Sequence, residues 1–172
     1  MNPKIIAFDA DDTLWHNEPY FDEAQAKFCE LFADYASRQE ILQLILNHQV
    51  KNLPLYGFGI KAFVLSMIDS ALELTNHQIS GNGIEKIIKI GKDLLQKPVE
   101  LLPEVEDVLQ QLKGKYKLVV ATKVDLKDQH RKLHDSGLGT YFHHIEVMSD
   151  KTDLDYTKML HRLECDPKDF IM

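Results

Sequence analysis

The apolar positions fall into three regimes along the chain. Lys4-Ile5-Ile6-Ala7-Phe8 is a short β-prone run that ends in Asp9-Ala10-Asp11-Asp12-Thr13. A continuous apolar run of this length suits a strand buried on both faces, as in a parallel sheet. From about Glu18 to Gln96 the spacing becomes helical. Leu42, Leu46, Val50 and Leu53 form one stripe, Ile60, Val64, Met67, Ile68 and Ala71 a second, and Ile84, Ile87, Ile88, Gly91, Leu94 and Leu95 a third. Asn52-Leu53-Pro54, Asn76-His77 and Ser80-Gly81-Asn82-Gly83 read as breaks between them, which predicts a bundle of about four helices. After Pro98 strands and helices alternate. Pro103 opens a helix with Val105, Val108, Leu109 and Leu112 inward, and Gly114 closes it. The pattern then predicts a strand over 116–122, a helix over 125–136 closed by Gly137 and a strand over 142–147. A helix over 153–163 follows, with Tyr156, Met159, Leu160 and Leu163 inward, and another strand begins at 169–172.

Strands alternating with helices imply parallel βαβ units. The expected fold class is α/β: a parallel, Rossmann-like three-layer core sheet from 1–15 and 98–172, with a helical cap domain inserted over 16–97. The insert leaves directly after the acidic end of the first strand. In open parallel sheets ligands bind at the carboxyl ends of the strands, so the insert is expected to roof a site.

Composition narrows the partners. The chain has 172 residues, enough for one sizeable core, and a formal net charge of -7 without a long basic run. A nucleic-acid backbone wants a basic face, so nucleic acid is not expected as a partner. Cys29 and Cys165 have no metal-type spacing and read as two reduced thiols. No stretch approaches membrane-spanning length, and the N-terminal apolar run is short and interrupted by Asp9, unlike a signal peptide. The expectation is a cytoplasmic protein, and oligomeric state leaves no mark in the sequence.

The candidate chemistry sits at the first strand's end. Asp-x-Asp-x-Thr alone is only moderately specific, but four apolar residues immediately before Asp9 sharpen it. Adjacent carboxylates at a buried strand end repel unless a cation neutralises them. A carboxylate attacks phosphorus competently when a cation shields the approach of two anions. Asp9 can point at a ligand from the strand end, and Asp11, two residues on, can be aimed at a leaving oxygen.

The segment Phe8-Asp9-Ala10-Asp11-Asp12-Thr13-Leu14 resembles the first motif of the haloacid dehalogenase-like superfamily. The resemblance implies Asp9 as nucleophile forming an aspartyl-phosphate. It implies Asp11 as general acid and then base, with its backbone carbonyl on Mg²⁺, so that Asp9 and Asp11 are the metal candidates. Thr122, ending the strand Leu118-Val119-Val120-Ala121, matches the second motif's hydroxyl residue, and Lys151 in Ser149-Asp150-Lys151-Thr152 matches the third motif's lysine. Taken alone, Lys151 reads as a surface lysine pairing Asp150 or Asp153; Lys123 is a weaker rival for its role. Thr13 and Lys123 join the substrate-binding candidates. The resemblance covers essentially the whole chain, and the helical insert looks like the family's class I cap. Asp12 stands where many relatives have glycine. The fourth motif's acidic Mg²⁺ ligands are not found before Met172, and a C-terminally incomplete chain is the expectation.

Within the insert, Tyr56-Gly57-Phe58-Gly59 and Lys61 form a loop in which Tyr56 or Lys61 could read a ligand's polar end. The plainer reading, favoured here, is a helix-entry turn with Tyr56 and Phe58 packed inside. Trp15 and His16 read as packing and hinge residues. The expected activity is Mg²⁺-dependent hydrolysis of a small phosphorylated metabolite. The alternatives are a phosphomutase, a receiver-like phosphate-binding module, or a degenerate relative that only binds. Dehalogenation and phosphonate cleavage are disfavoured because those branches do not keep the first motif's second aspartate. The long insert and the lack of an Asp ending a middle strand argue against a receiver domain.

Overall fold

The computed structural model describes residues 3–148 and 150–172; Ser149 of the Ser149-Asp150-Lys151-Thr152 segment lies outside them. In chain order the elements are strand β1 (Ile5–Phe8), helices α1 (Glu18–Leu31), α2 (Arg38–Tyr56), α3 (Ile60–Leu74), α4 (Gly81–Leu95) and α5 (Val105–Leu112), strand β2 (Lys117–Lys123), helix α6 (Leu126–Asp135), strand β3 (His144–Met148), helix α7 (Asp153–Arg162) and strand β4 (Phe170–Ile171). The four described strands form one parallel sheet in the order β3-β2-β1-β4. The fold is therefore α/β and Rossmann-like. The chain divides into two compact units, residues 1–17 with 98–172 and residues 18–97.

Both faces of the sheet are covered, as continuous apolar strands require. Alternate residues take opposite sides. Ile6, Phe8, Leu118 and Val120 pack with Leu14, Trp15, Leu109 and Leu138, whereas Ile5, Ala7, Val119 and Ala121 pack with Met148 and Met159. The chain leaves and re-enters this unit through a short antiparallel stem. Trp15 bridges Leu101, His16 N–H donates to the Glu100 carbonyl at 2.9 Å, and Leu102 N–H to the Leu14 carbonyl at 3.1 Å.

The unit of residues 18–97 consists of α1 to α4 around Phe28, Ile41, Ile45, Phe63, Met67 and Ile87. Asn52-Leu53-Pro54 is not a break: α2 continues through Pro54 to Tyr56. Asn52 is buried there, and its Nδ2 donates to Ser66 Oγ at 3.2 Å and Asp69 Oδ2 at 2.8 Å on α3. Those bonds fix the rotation of α2. The inward row is Ile41 and Ile45, while Leu46, Val50 and Leu53, one residue out of phase with it, are 52%, 65% and 38% exposed. The real break is Gly57-Phe58-Gly59, where both glycines have positive φ, 68° and 113°. Such backbone strains any residue with a Cβ. Tyr56 is not packed inside but 52% exposed.

Ser80 caps α4 by accepting from Gly83 N–H at 3.1 Å, so Gly81-Asn82-Gly83 is a first helical turn and not a loop. Gly91 faces α3, where a Cβ would lie 2.2 Å from Val64 Cγ2. Among the described residues no helix is long and apolar enough to cross a membrane.

Candidate active site

Parallel pairing places every strand's carboxyl end on the same side of the sheet. Phe8 stands opposite Val120 and Thr122 opposite Val147, so Asp9 and Thr122 emerge on the side of the sheet where β3 ends at Met148. On that rim Lys151 Nζ reaches Asp9 Oδ1 at 2.6 Å, with the lysine side chain 19% exposed and the aspartate 40%. The Lys151 backbone is fixed from both sides. Its N–H donates to Asp150 Oδ1 at 2.8 Å, and the next residue, Thr152, caps α7 in a reciprocal box with Asp155. Lys151 thus pairs with Asp9, while Lys123 Nζ lies 4.0 Å from Asp150 Oδ1. Tyr156 on α7 stands close enough for the Asp9 charge to matter. Burial first, then that charge, raises its phenol above the usual value and keeps the hydroxyl protonated.

Asp11 is held by three donors. Trp15 Nε1 donates to its Oδ1 at 2.7 Å, Lys132 Nζ lies 2.9 Å from the same oxygen, and Gln129 Nε2 donates to Oδ2 at 2.7 Å. Lys132 also donates to Asn17 Oδ1 at 2.8 Å and lies 3.5 Å from Asp128 Oδ2. Asp128, Gln129 and Lys132 are all buried. Asp12 has φ 56°, a left-handed position, and its Oδ1 accepts from Asn17 N–H at 2.9 Å. That conformation explains why glycine suits the position and how aspartate tolerates it, since a short polar side chain can bond locally in this region.

Thr122 is buried, and its hydroxyl donates to the Lys123 carbonyl at 3.2 Å. The loop beyond it holds Val124 at φ 130°, a strained position for a β-branched residue. Asp125 then caps α6 through the N–H groups of Lys127 and Asp128. Thr13 is exposed on the turn after Asp11, its N–H bonded to the Ala10 carbonyl at 3.2 Å. Tyr56 and Lys61 belong to the unit of residues 18–97, not to the unit that carries Asp9.

Trp15, Gln129 and Lys132 were not candidates on sequence, except that Trp15 read as packing. A signal existed. Helix α6 follows a sheet strand but carries only Leu126 and Leu133 as large apolar residues, and Leu126 is 59% exposed. A helix that must cover a sheet with so little apolar surface presents polar residues inward, and here those residues meet Asp11.

The metal expectation fits only in part. Among the described residues no three His, Cys, Asp or Glu side chains gather as a metal site. The Asp11 side chain is already turned to a cation and two N–H donors, so it is not a ligand in this arrangement. Asp9 remains as one carboxylate, with one oxygen on Lys151. These residues do not make a cation site of their own, since Mg²⁺ binds through one or two carboxylates together with substrate phosphate and water.

What the rim offers chemically is an accessible carboxylate beside an ammonium, and a second carboxylate clamped two residues on. The haloacid dehalogenase-like hydrolase family matches residues 3–172. A haloacid dehalogenase-like hydrolase from Xanthomonas campestris is 35% identical with a TM-score of 0.93, over 99% of this chain and 72% of that one. A predicted phosphoglycolate phosphatase from Haemophilus somnus is 17% identical with a TM-score of 0.63, over 99% and 76%. An L-2-haloacid dehalogenase from Xanthobacter autotrophicus is 13% identical with a TM-score of 0.63, over 98% and 68%. No curated protein matches in sequence. At such low identity the last two share the fold alone. The match over nearly the whole chain, with the Xanthomonas likeness, makes this protein a member of the haloacid dehalogenase-like hydrolase family.

Proposed function

We propose that the chain hydrolyses a small phosphomonoester through an aspartyl-phosphate on Asp9. The observation that carries this reading is the Lys151 ammonium 2.6 Å from Asp9 Oδ1 at the exposed rim of the sheet. An anionic nucleophile meets an anionic phosphate only where a fixed cation lowers the repulsion. Asp11 first takes a proton from solvent on the lone-pair site its three donors leave open; Asp9 then forms a bond to phosphorus as the ester P–O bond breaks, and Asp11 passes that proton to the leaving oxygen. Water then attacks phosphorus, the Asp9–phosphorus bond breaks, and a water proton returns to Asp11. Lys151 and a re-aimed Thr122 hydroxyl hold the phosphoryl oxygens, with Thr13 and Lys123 as further contacts. Mg²⁺, with Asp9 and the Asp11 backbone carbonyl as its protein ligands, would supply further positive charge to the phosphate.

Family membership leaves halide displacement as the rival chemistry, and Asp11 favours phosphate, because a halide leaves without a proton. The test is phosphate release from an aryl phosphate, with and without Mg²⁺, beside chloride release from 2-chloropropionate. Phosphate release supports the proposal; chloride release without phosphate release replaces it. Migration of the phosphate within a sugar without release would indicate a mutase.

A further inference from the structure

Helix α6 contributes two buried polar side chains whose only visible business is the Asp11 carboxylate and its surroundings. An ionised carboxylate offers about four lone-pair sites. Three are filled, by Trp15 Nε1, Lys132 Nζ and Gln129 Nε2, so the group cannot rotate without breaking a bond. Lys132 is 8% exposed and Gln129 fully buried. Burying a lysine is costly unless it is paired, and the Lys132 ammonium faces three oxygens: Asp11 Oδ1, Asn17 Oδ1 and Asp128 Oδ2. The arrangement is not fully satisfied. Gln129 Oε1 is buried without a hydrogen-bond partner, and Asp128 Oδ2 has only the Lys132 ammonium, at 3.5 Å. A purely structural polar cluster would shed such groups, since each costs stability. Here both side chains have a second use, because their other atoms hold Asp11 and, through Arg131, the helix.

We infer that Lys132 and Gln129 are positioning residues that aim Asp11. Together with Trp15 they leave about one lone-pair direction of its carboxylate open for proton transfer. Lys132 extends the latch to Asn17, the last residue before the helical unit begins, whose own N–H is tied to Asp12. Asp11 is thereby oriented from α6 as well as from its own turn. The inference rests on the hydrolase reading for what Asp11 does, but not for how Asp11 is held.

The test uses both halves. Trp15 is the chain's single tryptophan, so its indole N–H gives one resonance that reports the bond to Asp11 directly. Lys132→Met and the milder, uncharged change Gln129→Leu should both shift that resonance and speed its hydrogen exchange, with Lys132→Arg restoring it in part. In the same variants, turnover of butyl phosphate should fall roughly tenfold to a hundredfold further than turnover of p-nitrophenyl phosphate, whose leaving group scarcely needs a proton. An unmoved indole resonance in Gln129→Leu and Lys132→Met overturns the latch. Equal losses on both substrates overturn its role in aiming the acid. If the unaltered chain releases phosphate from neither ester, the hydrolase reading fails while the indole signal still decides whether the latch exists.

Discussion

Lys151 and Asp9 come from opposite ends of the chain and meet at 2.6 Å on the carboxyl rim of the sheet. Among the described ion pairs each is the other's partner. If the ammonium neutralises the nucleophile and the bound phosphoryl group, Lys151→Met should lower turnover by on the order of a hundredfold or more, as loss of one preorganised charge contact does. Lys151→Arg should retain part of it. Far-ultraviolet circular dichroism checks that the fold persists, and turnover of Lys151→Met within a few-fold of the parent would contradict the assignment.

Asp12 carries two separable contributions. Its left-handed φ of 56° favours glycine, and its Oδ1 bond to Asn17 N–H favours aspartate. Asp12→Gly keeps the backbone and loses the bond, so its stability should change by less than about 1 kcal/mol. Asp12→Val keeps neither and should cost about 1–3 kcal/mol in denaturant unfolding. Equal effects of the two substitutions would mean that the backbone conformation is not what the position demands.

Gly91 lets α4 approach α3. A Cβ there would lie 2.2 Å from Val64 Cγ2, so Gly91→Ala must displace the Val64 side chain despite alanine's better helix propensity. The expected net cost is about 1–2 kcal/mol. Val64→Ala in the same chain should recover most of it, a coupling that a double-mutant cycle measures. Independent, additive effects would place the contact elsewhere.

Glu23 gives the helical unit a defined acid response. Hydrogen bonds from Lys27 and Lys97 hold its carboxyl down to about 2, against an ordinary 4.5. A folded-state value below the unfolded one means that the stabilisation is complete above 4.5 and is lost as pH falls through 2. The group is exposed to solvent, so the effect is modest and weakens with salt. Denaturant midpoints between pH 5 and 2.5 should therefore fall less steeply for Glu23→Gln than for the parent, and identical slopes would exclude the contribution.

The sequence revealed the sheet more clearly than the helical unit, for a physical reason. A strand buried on both faces must be apolar throughout, so Ile5–Phe8 and Leu118–Ala121 could be read without knowing which side faces what. Helix α2 has two apolar rows one residue apart, and periodicity alone cannot say which goes inward. The choice of Ile41 and Ile45 over Leu46 and Val50 is made by Asn52 bonding across to Ser66 and Asp69, a long-range fact. Pro54 misled in the same way, because a proline inside a helix is tolerated when packing holds the turn around it. At the site, Asp9 stood out because it closes an apolar strand in a parallel sheet, whereas Lys151, a surface lysine when read alone, was singled out only by its resemblance to the third motif. The donors on Asp11 were not, since Gln129 and Lys132 acquire meaning only when α6 folds back over the turn after β1.

The most direct test of the account is to find the phosphoryl group on the protein. The chain would be mixed with an aryl phosphate and Mg²⁺, quenched in acid within the first turnover, and digested for peptide mass spectrometry. The account predicts a phosphoryl adduct on Asp9, absent in Asp9→Asn along with turnover. Phosphate release with no adduct on Asp9, or release that survives Asp9→Asn, would contradict it.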